Sequence, residues 1–133
     1  LTRVDHAWAA GFWEADGSIY LRRTPNSEFH RPYITASQTD DRAPLDKLVE
    51  LYGGRVEGPF GTAYGNTHWR WSMSNTKEVR RFIRQVHPYI TIERKKRKLK
   101  IAYRLGFYII GKDSRSFSRQ RERLELEEEF RTV

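Results

Sequence analysis

The chain has 133 residues, enough for a single domain spanning 1–133 with its own hydrophobic core, and its formal net charge of +8 directs it towards polyanions. The absence of cysteine excludes disulfides and thiolate zinc sites. No apolar run approaches the roughly 20 residues of a spanning helix and there is no signal-peptide pattern, so the expected partner is nucleic acid, with no membrane, at an intracellular site whose compartment is open.

Asp5 is expected to cap a first helix over about 6–14, with Trp8, Ala9, Phe12 and Trp13 at helical spacing and Asp16-Gly17 ending it. From Ser18 the period changes to two: Ile19 and Leu21 point one way, and Tyr20, Arg22 and Thr24 the other. Pro25-Asn26-Ser27 is turn chemistry. A second strand over about 31–38 turns Ile34 and Ala36 inward and Arg31, Tyr33 and Thr35 outward.

Pro44 opens a second helix that carries Leu45, Leu48, Val49 and Tyr52 on one side and stops at Gly53-Gly54. A second hairpin follows, with strands over about 55–60 and 67–74. In the latter, Trp69, Trp71 and Met73 alternate with His68, Arg70 and Ser72. Asn75 or Thr76 caps a third helix with Val79, Phe82, Ile83 and Val86, which His87-Pro88 ends. Helical stretches over 92–106 and 114–130 complete the chain, and Glu127-Glu128-Glu129 reads as a solvated face of the last one.

The predicted class is therefore α+β, in the order α-β-β-α-β-β-α, with a four-stranded antiparallel sheet and a helical C-terminal tail. The core covers about 5–110 and the tail about 112–133. The aromatic residues fall mainly on inward positions and serve the core. The outward positions collect Arg22, Arg31, Arg55 and Arg70 among polar neighbours. Such a face suits the major groove, which admits a two-stranded ribbon.

Residues 8–19, WAAGFWEADGSI, carry the most specific pattern. Ala9 to Gly17 resembles the nine-residue LAGLIDADG signature. Ala10, Gly11, Ala15, Asp16 and Gly17 match outright, Glu14 keeps the acid, and Ala9 departs from the usual leucine. SQTDDRAPLDKL at 37–48 is similar to the family's Gln-x-x-x-Arg segment, and HPYI at 87–90 to its Pro-aromatic-Leu stretch. The resemblance is to single-motif LAGLIDADG homing endonucleases. It implies a site-specific double-stranded DNA endonuclease that acts as a homodimer and hydrolyses phosphodiesters at a long pseudo-palindromic target, in the service of intron homing.

The resemblance also implies site residues. Asp16 and its neighbour Ala15 are the metal ligands, for Mg2+ or another divalent ion such as Mn2+ or Ca2+. Gln38 and Arg42 belong to the catalytic periphery. The family's lysine, five residues past the proline, is Glu93 here, so Arg94, Lys95 or Lys96 must supply the positive charge, with Lys95 chosen. Expected DNA contacts are Tyr20, Arg22, Thr24, Asn26, Arg31, Tyr33, Thr35, Arg55, His68, Arg70, Ser72, Lys96 and Lys98.

The motif has a physical logic of its own. Ala7, Ala10, Gly11 and Glu14 are read as one helix face, small enough for two backbones to approach about a two-fold axis. Two Asp16 carboxylates would then meet, and joint ionisation requires cations. His6, His30, His68 and His87 lack metal-ligand spacing. No phosphate-cradling glycine loop or nucleophile triad is present, so no small-molecule substrate is expected. The alternatives are a cleavage-deficient DNA-binding regulator and an RNA-binding intron maturase on the same fold.

Overall fold

The first helix begins on Thr2 and not on Asp5. The computed structural model, which describes residues 1–61, 63, 65–110 and 116–133, shows α1 over Arg3–Asp16. The Thr2 hydroxyl accepts from the Asp5 N–H at 3.1 Å while the Asp5 carboxylate accepts from the Thr2 N–H at 3.0 Å. Asp5 is thus the third helical residue of a capping box, a role equally suited to an acid followed by an apolar run. The hydrogen bonds from Thr2 are the main cause holding the Asp5 carboxyl below its usual value.

β1 (Gly17–Arg23) follows α1 without a loop, and β2 is His30–Thr39. The second half repeats the order with α2 (Ala43–Tyr52), β3 (Arg55–Gly61) and β4 (Thr67–Met73). Gly53 and Gly54, with φ of 89° and 82°, carry the chain out of α2. A Cβ on Gly54 would stand 2.6 Å from the Ser72 carbonyl oxygen, so the turn requires glycine twice over. α3 (Thr76–Val86), capped by Asn75, leads through a short 3-10 turn at His87–Tyr89 into α4 (Glu93–Ile110). The last helix, α5, is Phe117–Thr132, capped by Ser116. Its expected start at Ser114, and the tail boundary at Lys112, lie outside the described residues.

The four strands form one antiparallel sheet in the order β1-β2-β4-β3. One face turns Ile19, Ile34, Ala36, Trp71 and Met73 into a core shared with Trp13, Leu45, Leu48, Phe82 and Leu99. Phe82 sits at its centre. Its ring lies edge-on to Tyr52 at 5.0 Å and to Trp13 at 6.3 Å, and 5.4 Å from Trp71. It thereby joins α3 to α1, α2 and the sheet. His6 Nδ1 and the Tyr52 hydroxyl, 2.7 Å apart, tie α1 to α2 directly, and burial pushes the Tyr52 hydroxyl up to about 12.

One acidic residue is misjudged from sequence alone. Glu128 and Glu129 are exposed, as expected of a solvated face, but Glu127 is only 1 % exposed. It turns inward because His30, Arg123 and Arg131 surround it.

Because Phe82 contacts three aromatic rings from three elements, Phe82→Ala should cost about 3–5 kcal/mol of folding free energy. Urea unfolding followed by tryptophan fluorescence measures this. A loss below 1 kcal/mol would contradict the central role given to this ring.

Candidate active site and nucleic-acid interface

The direct passage of α1 into β1 fixes Asp16 at the last helical position. The turn is tight because Trp13 folds back over it. A Cβ on Gly17 would lie 2.2 Å from Trp13 Cδ1, and the Gly17 N–H donates to the Trp13 carbonyl. The Asp16 carboxylate is exposed and makes no hydrogen bond or ion pair among the described residues.

The start of α4 is clasped to the same end. Glu14 Oε1 accepts from the Thr91 N–H and the Thr91 hydroxyl, both at 2.8 Å, and from the Ile92 N–H. Those N–H groups precede α4 and have no helical acceptor of their own. In return Lys95 Nζ donates to the Glu14 carbonyl at 2.5 Å and the Gly17 carbonyl at 3.0 Å, and lies 5.2 Å from the Trp13 ring centroid. A cation there complements the negative end of the α1 dipole. Burial raises the Glu14 carboxyl, but the hydrogen bonds from Ile92 and Thr91, with Lys95 nearby, outweigh it and hold it below its ordinary value.

Lys95, in the first turn of α4, therefore stands at the end of α1 that carries Asp16. Arg94, Lys95 and Lys98 line a cleft of about 280 Å³ with Trp13, Ser18 and Ile92 at this end. Glu93, at the start of α4, is exposed.

Gln38 lies at the same end of the sheet. Gly17 pairs with Ala36, so Asp16 precedes that pair by one residue and Gln38 follows it by two. Its Oε1 is buried without a partner among the described residues. Arg42 is engaged elsewhere: its guanidinium reaches Asp46 at 3.0 Å across one turn of α2. An aspartate four residues on captures it, which the Gln-x-x-x-Arg spacing does not reveal.

The other face of the sheet carries the expected polar set. Across β1 and β2 the directly opposed pairs are Ser18 with Thr35, Tyr20 with Tyr33, and Arg22 with Arg31. Across β2 and β4 they are Thr35 with Ser72, Ser37 with Arg70, and Thr39 with His68. Arg55 and Glu57 of β3 oppose Ser72 and Arg70.

Three of these residues are buried: Tyr33, Thr35 and Ser72 are 5, 8 and 3 % accessible. They occupy the middle of the face, where neighbours cover them. The Tyr20 ring lies 5.1 Å from that of Tyr33, the Arg22 guanidinium 5.1 Å over it, and Ser18 Oγ 3.2 Å from Thr35 Oγ1. Strand alternation gives the side of a sheet and not the cover that long neighbours provide. Tyr20, Arg22, Asn26, Arg31 and Arg55 are exposed, whereas Thr24, His68 and Arg70 are half-buried. Arg70 stacks on Phe60 at 5.5 Å.

Glu57 also belongs to this face, and sequence reasoning missed it. Its carboxylate pairs with Arg55 at 3.1 Å. The period-two reading that put Arg55 outward assigns Glu57 to the same side.

In the basic run Arg94-Lys95-Lys96-Arg97-Lys98, Lys98 Nζ lies 4.8 Å over the Phe130 ring and burial lowers its ammonium group, while Arg94 donates to the Val133 carbonyl. Lys98 is thus packed against α5 and not free on the surface. Lys96 is half-buried, also on α4.

The small-residue face of α1 differs from the expected one. Ala10 is fully buried beside Ala9 and Trp13, and the Glu14 carboxylate is taken by Thr91 and Ile92. The exposed stripe is Val4, Ala7, Gly11 and Ala15. Val4 is 77 % exposed, and a Cβ on Gly11 would meet nothing within 4 Å.

The depressed Glu14 carboxyl makes a stability prediction. A group whose folded value lies below its unfolded value stabilises the fold above the unfolded value, and loses that contribution as the pH falls through the folded one. Glu14→Gln should therefore be less stable than the parent at pH 7, and the gap should narrow below about pH 4.5, the ordinary glutamate range. Urea midpoints measured between pH 7 and pH 3 test it. A gap independent of pH would contradict the clasp.

No family model and no curated sequence matches the chain. Solved structures do. The homing endonuclease I-CvuI, in complex with the I-CreI target DNA in the presence of 2 mM Mg, superposes with a TM-score of 0.77 at 18 % identity, over 96 % of this chain and 80 % of that one. The archaeal intron-encoded homing endonuclease I-Vdi141I complexed with DNA gives 0.74 at 17 %, over 97 % and 83 %. The LAGLIDADG homing endonuclease I-GzeII in complex with its DNA target gives 0.69 at 16 %, over 92 % of this chain and 43 % of that one. The chain has the fold of the LAGLIDADG homing endonucleases.

Proposed function

We propose that the chain is a site-specific, divalent-metal-dependent double-stranded DNA endonuclease that works as a homodimer. The observation that carries this reading is the unpartnered Asp16 carboxylate, held at the end of a helix whose outward face is a stripe of small residues. Among the described residues no group of three or more His, Cys, Asp or Glu side chains converges. One copy therefore offers an incomplete cation site, and a second copy across the α1 stripe supplies the missing carboxylate.

The donor set fits a hard cation. Asp16 offers a free carboxylate. The Ala15 carbonyl, in the last turn of α1, has no helical N–H four residues on because Ile19 is already in β1. Both are oxygen donors of the kind Mg2+ or Ca2+ takes. The I-CvuI complexes were formed in the presence of 2 mM Mg in one case and 2 mM Ca in another. Bound there, a divalent ion would activate water and stabilise the leaving oxygen.

The chain's own residues do the rest. Lys95, held on the carbonyls of Glu14 and Gly17 at the α1–β1 junction, puts positive charge at the end of a helix that would otherwise add to the repulsion between two Asp16 side chains. It also offsets the charge of a phosphate brought to that end. Gln38, with a buried and unpartnered Oε1, is oriented from the adjoining strand end and can order a water there. Arg42 must leave Asp46 to take part, so its role is secondary. The exposed residues of the outer face, Tyr20, Arg22, Asn26, Arg31, Arg55 and half-buried Arg70, meet base edges and phosphates in the major groove. Lys96 meets phosphate.

The match covers most of I-CvuI but less than half of I-GzeII. No helix among the described residues is long and apolar enough to cross a membrane.

Asp16→Asn should keep DNA affinity within about tenfold while abolishing cleavage, because one metal ligand is lost and the sheet is intact. Gly11→Leu should abolish cleavage by a different route, wedging the α1 stripes apart, so light scattering should report a monomer. An Asp16→Asn variant that cuts at the parental rate in magnesium sinks the assignment.

The outer face should read sequence. Arg22→Ala and Arg70→Ala should each relax preference at particular base pairs by about 1–3 kcal/mol, symmetrically in the two half-sites. Lys96→Ala should weaken all targets alike and reduce the salt slope by about one. Cleavage profiles over randomised targets separate these outcomes. Unchanged base preferences in both arginine variants would mean that the face does not read sequence.

A further inference from the structure

β2 is longer than the strand beside it. Residues from Ile34 to Thr39 pair with β4, but the pairing stops at Ile34 with Met73. From His30 to Tyr33, β2 is bonded to β1 alone. The β1–β2 hairpin thus projects beyond the sheet as a two-stranded ribbon whose β2 edge has lost its neighbouring strand, and such ribbons are marginal without support. This projecting half carries Arg22, Thr24, Asn26 and Arg31.

The open edge is closed by the tail helix. The His30 N–H donates to Glu127 Oε2 at 3.3 Å, and the His30 carbonyl accepts from the Arg123 guanidinium at 2.9 Å. Both backbone groups of one strand residue are therefore satisfied by α5 side chains, as a neighbouring strand would satisfy them. His30 Nδ1 lies 2.8 Å from Glu127 Oε1, and the Arg123 guanidinium stacks 4.4 Å over the Phe29 ring, in the hairpin connection. The remaining charge is balanced locally. Arg123 Nε lies 3.6 Å from Glu127, too long for a hydrogen bond but an ion pair, and Arg131 reaches Glu127 at 3.5 Å.

These are not loose surface contacts. The Glu127 side chain is 1 % exposed and that of Arg123 12 %. Burying a carboxylate and a guanidinium costs several kcal/mol unless they are paired and bonded. Within α5, Glu127 is paired with Arg123 and Arg131, and the same two buried side chains, Glu127 and Arg123, bridge to the hairpin through His30 and Phe29. α5 therefore holds the β2 edge of the hairpin by an internally balanced charge cluster, and that contact bears on where the hairpin points.

We propose that Glu127 and Arg123 are positioning residues for DNA recognition, substituting for a missing strand so that α5 sets the angle at which Arg22 and Arg31 meet the target. The inference rests on the functional reading above. Neither residue touches DNA; each acts through the backbone of His30.

Three measurements test it. In the parent, the His30 N–H should exchange at least about tenfold more slowly than an unbonded amide. In Glu127→Gln and Arg123→Met, exchange over 24–32 should rise by about tenfold or more while 68–73 in β4 is unchanged. Over randomised targets, both variants should lose preference at the base pairs that Arg22→Ala loses and keep it at those that Arg70→Ala loses.

An unprotected His30 N–H in the parent would overturn the proposal even if both variants failed to fold. Exchange that rises equally in β4, or base preference lost equally at every position, would also overturn it, since a merely structural role gives that pattern. Should the parent show no sequence preference at all, the functional reading fails, while the exchange data still judge the strap.

Discussion

The reciprocal clasp between the end of α1 and the start of α4 is the constraint on which the rest depends. Glu14 satisfies N–H groups that α4 cannot satisfy itself, and Lys95 donates to the last-turn carbonyl of Glu14 and to that of Gly17, the first residue of β1. Each helix end caps the other, so neither can shift alone. Asp16 lies between the two halves of this clasp, which is how an exposed carboxylate gains a defined position without a partner of its own. The acid at Glu14 and the glycine at Gly17 are then parts of one device. The first ties the helix to α4, and the second lets Trp13 close over the turn into β1.

The sheet turns that fixed end into a surface. Because β1 starts at the residue after Asp16, the alternation of β1 is locked to the helix end, and a slip of one residue would send Arg22 into the core. The register across β2, β4 and β3 then aligns the outward residues of all four strands. The buried middle of that face, Tyr33, Thr35 and Ser72, is a floor that supports Tyr20 and Arg22. A supported arginine loses less conformational freedom on binding than a free one, which favours base readout over general attraction.

Much of this was legible in the residues. The change from period 3.6 to period two after Asp16 marks the helix–strand passage, and the fold class, the element order and the sides of the strands follow from such changes. What was not legible shares one cause: it depends on contacts between segments distant in sequence. Ala10 and Glu14 lie on the α1 surface by periodicity, yet the core takes the first and the Thr91–Ile92 turn the second. Glu127 reads as one of three solvated acids until His30, 97 residues away, supplies its partner. Arg42 is the exception. Its capture by Asp46 is local and could have been read from the spacing of four. Lys95 was chosen from a run of five basic residues, and only the fold distinguishes it from its neighbours.

In the proposed function, two copies of the chain each supply one Asp16 to a shared cleavage centre. Co-folding the parent with Asp16→Asn at known ratios, and measuring nicked and linear product from a plasmid carrying the target, separates the two cases. If each cut needs both carboxylates, mixed dimers neither nick nor linearise, and total cleavage falls as the square of the parental fraction. Nicked product that rises with the share of mixed dimers would mean that each copy cuts its strand on its own, and would contradict a shared centre.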